Sequence, residues 1–416
     1  MLKNSKVLLS AYCIFAAFTT YFCMFAFRKP FTSATFEGLI LWGIDYKIVL
    51  IIAQVLGYGV AKGIGIKVIS EVKPENRAKM ILAFIGMAEL SLILFALTPA
   101  PYNFVFLFFN GLPLGMIFGL VLGFLEGRQI TEILGAGLCV SFIVASGAVK
   151  SVGKLLLGWG ISEFWMPALT GLLFLPLLFF SVWMLKQIPP PTKEDQAERS
   201  LRQPMSAADR KAFFNNHALG LIALISVYVL VTILRDIRDN FAVEIWKELH
   251  ITNAGIFTVS ETWVGLGITV LTGILFVFKD NKLAFWINHI FIGFGVLTIA
   301  GVTYLFNQHM ISSFSWMIIM GLGIFMAYVP YNCMLFERLI AVTRQKSNIG
   351  FLLSIADFSA YIGSVIVLFY KNFGTATISW LSFIKYLAYI IPGFAILFLL
   401  ISFGYFRQKL SNTEKT

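Results

Sequence analysis

The sequence alternates between long apolar stretches and short polar ones. An apolar stretch of about 20 residues is long enough to cross a bilayer as an α-helix, and twelve such stretches follow one another along the 416 residues. The pattern therefore predicts an all-α membrane protein, embedded in a lipid bilayer by twelve transmembrane helices. These are predicted at residues 7–30, 46–67, 78–98, 102–125, 134–158, 164–186, 217–242, 254–278, 283–306, 313–334, 348–370 and 380–405.

The longest polar stretch divides the predicted helices into two equal groups. It reads KQIPPPTKEDQAERSLRQPMSAADRKAFFNNH and is rich in proline and charge. We predict an N-terminal six-helix bundle at residues 1–187, a cytoplasmic linker at 188–216 and a C-terminal six-helix bundle at 217–416. Two six-helix halves related by pseudo-symmetry resemble the layout of the major facilitator superfamily.

Composition and charge agree with a membrane protein. Charged residues make up 13% of the chain, whereas soluble proteins average about 25%. The net charge of +11 is carried mainly by alternate loops, beginning with the N-terminal segment. By the positive-inside rule this distribution places both termini in the cytoplasm. Because the positive charge follows the membrane topology, we expect no nucleic-acid partner. We also expect the protein to be a monomer.

An enzyme is not expected from this sequence. It offers no Ser/His/Asp set, no cluster of metal ligands and no paired catalytic carboxylates, and it lacks a G-x-x-x-x-G-K-[ST] phosphate loop. All four cysteines fall inside predicted helices, where a thiol behaves as a small apolar residue. We therefore expect neither a metal nor a cofactor.

An arginine interrupts an apolar helix at the same place in each half. Tyr21 precedes Arg28 by seven residues, and Tyr228 precedes Arg235 by seven. Two turns of helix would put both members of each pair on one face. A charge inside the bilayer usually faces a cavity or a partner and marks a function. Alternatively, Arg28 reaches the membrane surface, where an arginine is well tolerated.

Further polar residues lie within the predicted helices. Tyr58 and Lys62 are four residues apart in the second helix and therefore share a face. Glu261 lies midway along the eighth helix and could neutralise Arg235 when substrate is absent.

Two weaker signals come from the fifth, tenth and eleventh helices. Lys150 in the fifth and Asp357 in the eleventh could form a structural charge pair or take part in coupling. Tyr328 and Pro330 in the tenth suggest a bent or broken helix near a site.

Arginine, lysine and tyrosine side chains around a cavity would bind an anion. A planar guanidinium donates paired hydrogen bonds to phosphate or carboxylate oxygens and keeps its charge at physiological pH. One arginine from each half could bind a single oxyanion, which would couple closing of the halves to substrate binding. We therefore expect a small anionic substrate.

These stretches resemble the organophosphate:inorganic phosphate antiporters, of the bacterial glycerol-3-phosphate and hexose-phosphate transporter type. The matching segments read YFCMFAFRK, GYGVAK, VYVLVTILRDIRDNFAVEIWKEL and SETWVGLG. The resemblance implies that Arg28 and Arg235 bind phosphate and that Glu261 lies near the second arginine. It gives site roles to Tyr21, Tyr58 and Lys62. The helix-five histidine of that family has no counterpart in VASGAVK.

The leading hypothesis is a secondary active transporter of the bacterial inner membrane that exchanges a phosphorylated metabolite for inorganic phosphate by alternating access. Its predicted substrate-binding residues are Arg28, Arg235, Lys62, Tyr21, Tyr58, Tyr228 and Glu261. One alternative is a proton-coupled solute symporter in which Glu261 or Asp357 titrates. Another is a membrane sensor that has the transporter fold and binds its ligand without moving it.

Overall fold

Twelve long apolar helices dominate the computed structural model, which describes residues 6–125, 131–190, 205, 207–343, 347, 349–374 and 377–413. Within these residues, twelve helices are long and apolar enough to cross a membrane. The prediction of an all-α membrane protein with twelve transmembrane helices is confirmed. Most of the predicted linker, and the segments at 1–5, 126–130, 344–346 and 414–416, lie outside the described residues.

The helices of the N-terminal part follow one another with short connections. They are α1 (Lys6–Phe25), α2 (Tyr46–Glu71), α3 (Pro74–Leu97), α4 (Phe104–Leu125), α5 (Thr131–Gly158) and α6 (Met166–Lys186). In the connection from α1 to α2 lie a 3-10 helix, Pro30–Ser33, and two short antiparallel strands, β1 (Ile40–Leu41) and β2 (Ile44–Asp45). Trp42 and Gly43 join the strands with φ angles of 53° and 73°, the left-handed values that a tight two-residue hairpin requires.

The C-terminal part contains six long helices and two short ones. They are α7 (Ala207–Asn240), α8 (Ala242–Glu248), α9 (Ile256–Leu275), α10 (Asn281–Asn307), α11 (Ser313–Cys333), α12 (Leu335–Thr343), α13 (Ile349–Phe373) and α14 (Trp380–Thr413). The short helices α8 and α12 follow the ends of α7 and α11 directly. Pro330 lies near the end of α11, which stops three residues later.

The described residues fall into two compact units. The first contains those of Met1–Arg199, Asp239–Gly265 and Leu368–Ala376, and the second contains those of Ser200–Arg238, Leu266–Val367 and Thr377–Thr416. The last residues of α7, all of α8 and the first half of α9 therefore pack with the N-terminal helices. The domain boundaries at 187 and 217 stay a prediction.

Helix α1 is shorter than predicted. It ends at Phe25, and the chain then turns, with the Arg28 amide donating a hydrogen bond to the Phe25 carbonyl. Pro30 opens the 3-10 helix that follows. The expectation that Tyr21 and Arg28 share a face of one regular helix is therefore wrong, because Arg28 lies beyond the helix end. In contrast, Tyr228 and Arg235 both lie within α7.

Glycine brings α2 and α4 into backbone contact. A Cβ atom added to Gly57 would lie 2.2 Å from the carbonyl oxygen of Phe108, and one added to Gly111 would lie 2.3 Å from that of Gln54. Small residues permit this close approach between membrane helices. A Cβ atom on Gly63 would meet nothing within 4 Å, so the glycines of α2 do not all serve packing.

Candidate functional site

The first unit contains an arginine stacked on a tyrosine. The Cζ atom of Arg28 lies 4.0 Å from the ring centroid of Tyr58 and 5.5 Å from that of Phe25. Arg28 is half-buried, and Tyr58 is buried. Its hydroxyl group lies 3.8 Å from the sulfur atom of Met24. The structure thus brings together two predicted site residues, through a cation–π contact between the turn after α1 and the middle of α2.

Lys62 adds a second cation beside the same tyrosine. It lies one turn after Tyr58 on α2 and is half-buried. Tyr58 and Lys62 both belong to the continuous helix α2, four residues apart, so their side chains leave it on the same face. The predicted shared face of Tyr58 and Lys62 is thereby confirmed, and this region of the first unit carries concentrated positive charge.

Two amide side chains hold the Arg28 backbone in place. The Gln54 side chain donates hydrogen bonds to the Arg28 carbonyl oxygen at 2.9 Å and to the Asn110 side chain at 2.8 Å. Asn110 in turn donates to the carbonyl groups of Phe27 and Ala88. The bonds to Arg28 and Phe27 satisfy carbonyl groups that lie just beyond the end of α1, where the helix supplies no partner. Sequence reasoning missed both amides, although a polar residue inside an apolar helix is a usable signal.

Tyr21 has a packing position in this unit. It is 7% exposed, and its ring makes edge-on contacts with Phe25 and Phe118, with centroids 5.6 and 5.4 Å away. Its predicted role in substrate binding stays a prediction.

The second unit contains another arginine stacked on a tyrosine. The Cζ atom of Arg235 lies 4.2 Å from the ring centroid of Tyr328. The same guanidinium donates to Asp236 Oδ1 through Nε at 3.2 Å and through Nη2 at 2.7 Å. Asp236 also accepts a hydrogen bond from Ser364. Arg235 therefore has a carboxylate partner next to it on its own helix.

Tyr228 connects this arginine site to a second carboxyl group. Its hydroxyl group donates to Asp357 Oδ1 at 2.6 Å and is hydrogen-bonded to the hydroxyl group of Tyr328, oxygen to oxygen, at 3.1 Å. The two rings are stacked with centroids 5.2 Å apart. Because Tyr328 also carries Arg235 on its ring, the four side chains form one polar cluster in the second unit. Sequence reasoning noted Tyr328 only for its nearby proline.

Lys150 has a partner other than the predicted one. The sequence suggested a charge pair between Lys150 and Asp357, but Lys150 forms an ion pair with Asp239 at the end of α7, and Asp357 accepts from Tyr228. Lys150 and Asp357 also belong to different units. The spacing along the sequence could not reveal this, since partner choice depends on how α5 and α7 pack.

Asp239 is shared by two lysines. Besides Lys150, it forms an ion pair with Lys29, with 2.5 Å between Nζ and Oδ2, and it accepts a hydrogen bond from Ser146. Lys29 also donates to the Asn240 side chain at 2.6 Å. Both lysines are buried, so the aspartate compensates charges that would be costly alone. This cluster fixes the end of α7 to α5 and to the turn after α1.

A second buried ion pair lies nearby in the chain. Lys47, 1% exposed, pairs with Glu244 on α8. It also donates to the Thr32 carbonyl oxygen at 2.9 Å, and its Nζ atom lies 5.5 Å from the Phe241 ring centroid. Helix α8 is thus held to the start of α2 by charge as well as by packing.

Glu261 lies on α9 in the first unit. It is half-buried, and a Cβ atom added to Gly147 of α5 would lie 2.8 Å from the Glu261 Cβ atom. Glycine therefore lets the glutamate side chain lie directly against α5. The predicted interaction of Glu261 with Arg235 stays a prediction.

Comparisons with known proteins establish the family and the fold. A family model described as "Family of unknown function (DUF5690)" matches residues 30–409, and the chain therefore belongs to this family. Among curated proteins, none matches this sequence. A structure described as "Crystal structure of D-xylose-proton symporter" is similar over 96% of this chain and 98% of that chain, with a TM-score of 0.61 and 13% identity.

This similarity confirms the major facilitator fold. At an identity of 13% the similarity shows the fold alone, because one fold hosts many functions. The resemblance of the short motifs to organophosphate antiporters stays a prediction.

Proposed function

We propose that this member of the family of unknown function DUF5690 is a secondary active transporter of a small organic anion. The observation that carries the proposal is the arginine stacked on a tyrosine in each unit, Arg28 on Tyr58 and Arg235 on Tyr328. Stacking uses the face of the guanidinium, whereas its five N–H donors lie in its plane. An arginine held in this way is oriented to donate hydrogen bonds to phosphate or carboxylate oxygens.

The local charge favours an anion in the first unit most strongly. Arg28 and Lys62 both lie near the ring of Tyr58, and the attraction between such cations and an anion grows as the effective dielectric falls. The motif resemblance points to a phosphorylated metabolite as the substrate, exchanged for inorganic phosphate. Exchange follows if the positively charged empty site resists the conformational change and a bound anion removes that electrostatic cost.

A second candidate is proton-coupled transport of the solute. The observation that favours it is Asp357, a carboxyl group within a membrane helix that accepts the Tyr228 hydrogen bond in the same cluster as Arg235. The similar solved structure is a D-xylose-proton symporter by its description. In this candidate, protonation of a carboxyl group changes its interactions and so links proton movement to solute movement.

We propose the bacterial inner membrane as its location, with both termini in the cytoplasm. The basic residues in alternate loops support this orientation. Labelling of single cysteines introduced at positions 6 and 411, in intact cells, tests it, since an impermeant reagent should reach neither position until the cells are opened.

Phosphate exchange by purified protein tests the leading proposal. Liposomes loaded with phosphate would be assayed for uptake of radiolabelled phosphate, with Arg28→Ala, Arg235→Ala and, as a control, Arg210→Ala in the first turn of α7. We expect exchange in the wild type and in the control, and none in the other two. Absence of exchange in folded wild-type protein would exclude phosphate exchange.

The same liposomes separate the second candidate from the first. An imposed pH gradient should leave the rate of phosphate exchange unchanged in an antiporter, whereas it should drive net uptake in a proton-coupled symporter. Phosphate binding without any flux under either condition would indicate a sensor.

A further inference from the structure

A glutamate is buried within the membrane-spanning part of α3. Glu89 is 6% exposed, and neither of its carboxyl oxygens has a hydrogen-bond partner among the described residues. It lies eight residues before the end of α3, which corresponds to about 12 Å along the helix axis. Leaving a carboxylate ionised in such a place without a partner costs several kcal/mol. The side chain is therefore held as the neutral acid.

The carboxyl group fits a notch that a glycine leaves open. A Cβ atom added to Gly171 of α6 would lie 2.4 Å from Glu89 Oε2 and 2.9 Å from the nearest atom of the Phe27 ring. Any larger residue at position 171 would collide with the carboxyl group. Glu89 is thus accommodated specifically between α6 and the ring of Phe27.

Within the part of the chain that the structure describes, no hydrogen bond to a charged group compensates Glu89. Helix α4 contains no ionisable residue, and in α6 the only one is Lys186 at its last position. The ionisable residues of α1, of the turn that follows it and of the rest of α3 are Lys6, Tyr12, Cys13, Tyr21 and Cys23 of α1, Arg28 and Lys29 after it, and Glu75, Arg77 and Lys79 of α3.

The notch is connected to the Arg28 site through the backbone. Phe27, whose ring borders the notch, directly precedes Arg28. The Asn110 side chain donates to the carbonyl group of Phe27 at 3.0 Å and to that of Ala88, the neighbour of Glu89, at 3.1 Å. One amide therefore fixes the backbone beside both Glu89 and Arg28, and it links the packing around the first residue to the position of the second.

We propose that Glu89 is a proton-binding site of this protein. A carboxyl oxygen takes a proton from hydronium, which forms an O–H bond and releases water, and the acid returns the proton to water when the notch becomes hydrated. An ionised Glu89 would attract Arg28 and compete with the substrate anion for it, whereas the neutral acid does not. This consequence rests on the proposed transport function, but the protonation itself does not.

Infrared spectroscopy of the purified protein in lipid tests the protonation without any transport. At neutral pH the wild type should show the carbonyl band of a buried carboxylic acid, and Glu89→Gln, which keeps the size and neutrality of the side chain, should lose it. The control is Glu163→Gln, since Glu163 accepts hydrogen bonds from the backbone amides of Thr35 and Phe36 outside the membrane helices. The band should persist in the control. A band of equal intensity in Glu89→Gln would overturn the proposal.

A measurement on the wild type covers the case in which Glu89→Gln does not fold. Dicyclohexylcarbodiimide reacts with protonated carboxyl groups in apolar surroundings, so mass spectrometry should find an adduct on Glu89 at neutral pH and less of it at high pH. No adduct on Glu89, or an adduct that does not decrease with pH, would overturn the proposal.

Transport assays then separate this site from the proposed function. Where the wild type shows both the acid band and uptake that responds to a pH gradient, Glu89→Gln should lose that response and keep phosphate exchange without a gradient. A confirmed band in a protein that moves no anion would refute the proposed function and leave the proton site standing.

Discussion

The guanidinium of Arg28 lies 4.0 Å from the ring centroid of Tyr58. This contact orients the arginine side chain, whose position the sequence could predict only approximately. A cation over an aromatic ring gains roughly 0.5–2 kcal/mol, more when water is excluded. With its backbone carbonyl also bound by Gln54, Arg28 is positioned before any anion arrives. Such preorganisation raises affinity because less ordering is needed on binding.

Replacing Tyr58 with leucine should therefore weaken anion binding while the arginine is still present. Loss of about 1 kcal/mol of cation–π interaction corresponds to roughly a five-fold increase in the dissociation constant for phosphate. Tyr58→Phe keeps the ring and should bind phosphate within about two-fold of the wild type. Titration calorimetry on the purified proteins measures the dissociation constant for phosphate of both variants. Equal affinity of the leucine variant and the wild type would show that stacking on Tyr58 does not position Arg28 for binding.

The hydrogen bond from Tyr228 to Asp357 should contribute more stability than a comparable bond to a neutral acceptor. Its length of 2.6 Å lies in the range of bonds from a hydroxyl group to a carboxylate. Such a bond contributes about 1.5–3 kcal/mol, whereas a bond to a neutral carbonyl contributes about 0.5–1.5 kcal/mol. We therefore expect Tyr228→Phe to lower the free energy of unfolding by about 1.5–3 kcal/mol.

The neighbouring Tyr331 supplies a matched control for that substitution. It is buried like Tyr228, but its hydroxyl group donates to the Leu224 backbone carbonyl at 2.9 Å. Thermal unfolding should show the smaller decrease for Tyr331→Phe. The reverse order would indicate that Asp357 carries no charge in this cluster.

Removing the charge of Asp239 should destabilise the first unit strongly. Asp239→Asn leaves Lys29 and Lys150 as two buried cations without their shared counter-charge, and breaking a buried pair on one side costs about 3–5 kcal/mol. Adding Lys150→Met to Asp239→Asn should recover part of the loss, because one uncompensated cation is removed. Thermal unfolding of the single and double variants measures the loss of stability and its partial recovery.

An exposed ion pair provides the comparison for the Asp239 variants. Glu37 and Lys247 are 3.3 Å apart, with side chains 73% and 66% exposed, and such pairs contribute about 0–1 kcal/mol. Glu37→Gln should therefore unfold close to the wild-type temperature. If the double variant of Asp239 and Lys150 were less stable than Asp239→Asn alone, the role of Asp239 as the shared counter-charge of two buried lysines would be contradicted.

The sequence was sufficient for the fold but not for the contacts of the site. Apolar runs long enough to span a bilayer are a local property, and so is the four-residue spacing that put Tyr58 and Lys62 on one face. The end of α1 at Phe25 was missed because the apolar run continues through Phe27. The pairing of Lys150 with Asp239 was missed because it joins residues that only tertiary packing brings together.

Side chains whose role depends on their surroundings in the folded protein were also missed, because those surroundings are not a local property of the sequence. Glu89 was not singled out by the sequence analysis, and only the structure shows that its carboxyl oxygens lie without partners against Gly171 among the described residues. Asn110 looked equally ordinary. Its value lies in bridging two backbone carbonyl groups from different parts of the chain.

Two glycines of α2 offer a test of the packing on which the Arg28 site depends. In Gly57→Ala the new Cβ atom would lie 2.2 Å from the Phe108 carbonyl oxygen, so α4 must move away, and such overpacking costs about 1–3 kcal/mol. The movement would also stretch the Gln54–Asn110 hydrogen bond, which supports the Arg28 backbone. We therefore expect both a lower unfolding temperature and weaker phosphate binding.

Gly63→Ala is the matched control in the same helix, since a Cβ atom there meets nothing within 4 Å. Alanine favours a helix over glycine by up to about 1 kcal/mol, so this variant should be at least as stable as the wild type and bind phosphate equally well. Thermal unfolding measures the stability of both variants, and titration calorimetry measures their affinity for phosphate. If Gly57→Ala lowered stability without weakening phosphate binding, the link from the α2–α4 contact through Gln54 to Arg28 would be refuted, because the packing change would then not reach the anion site.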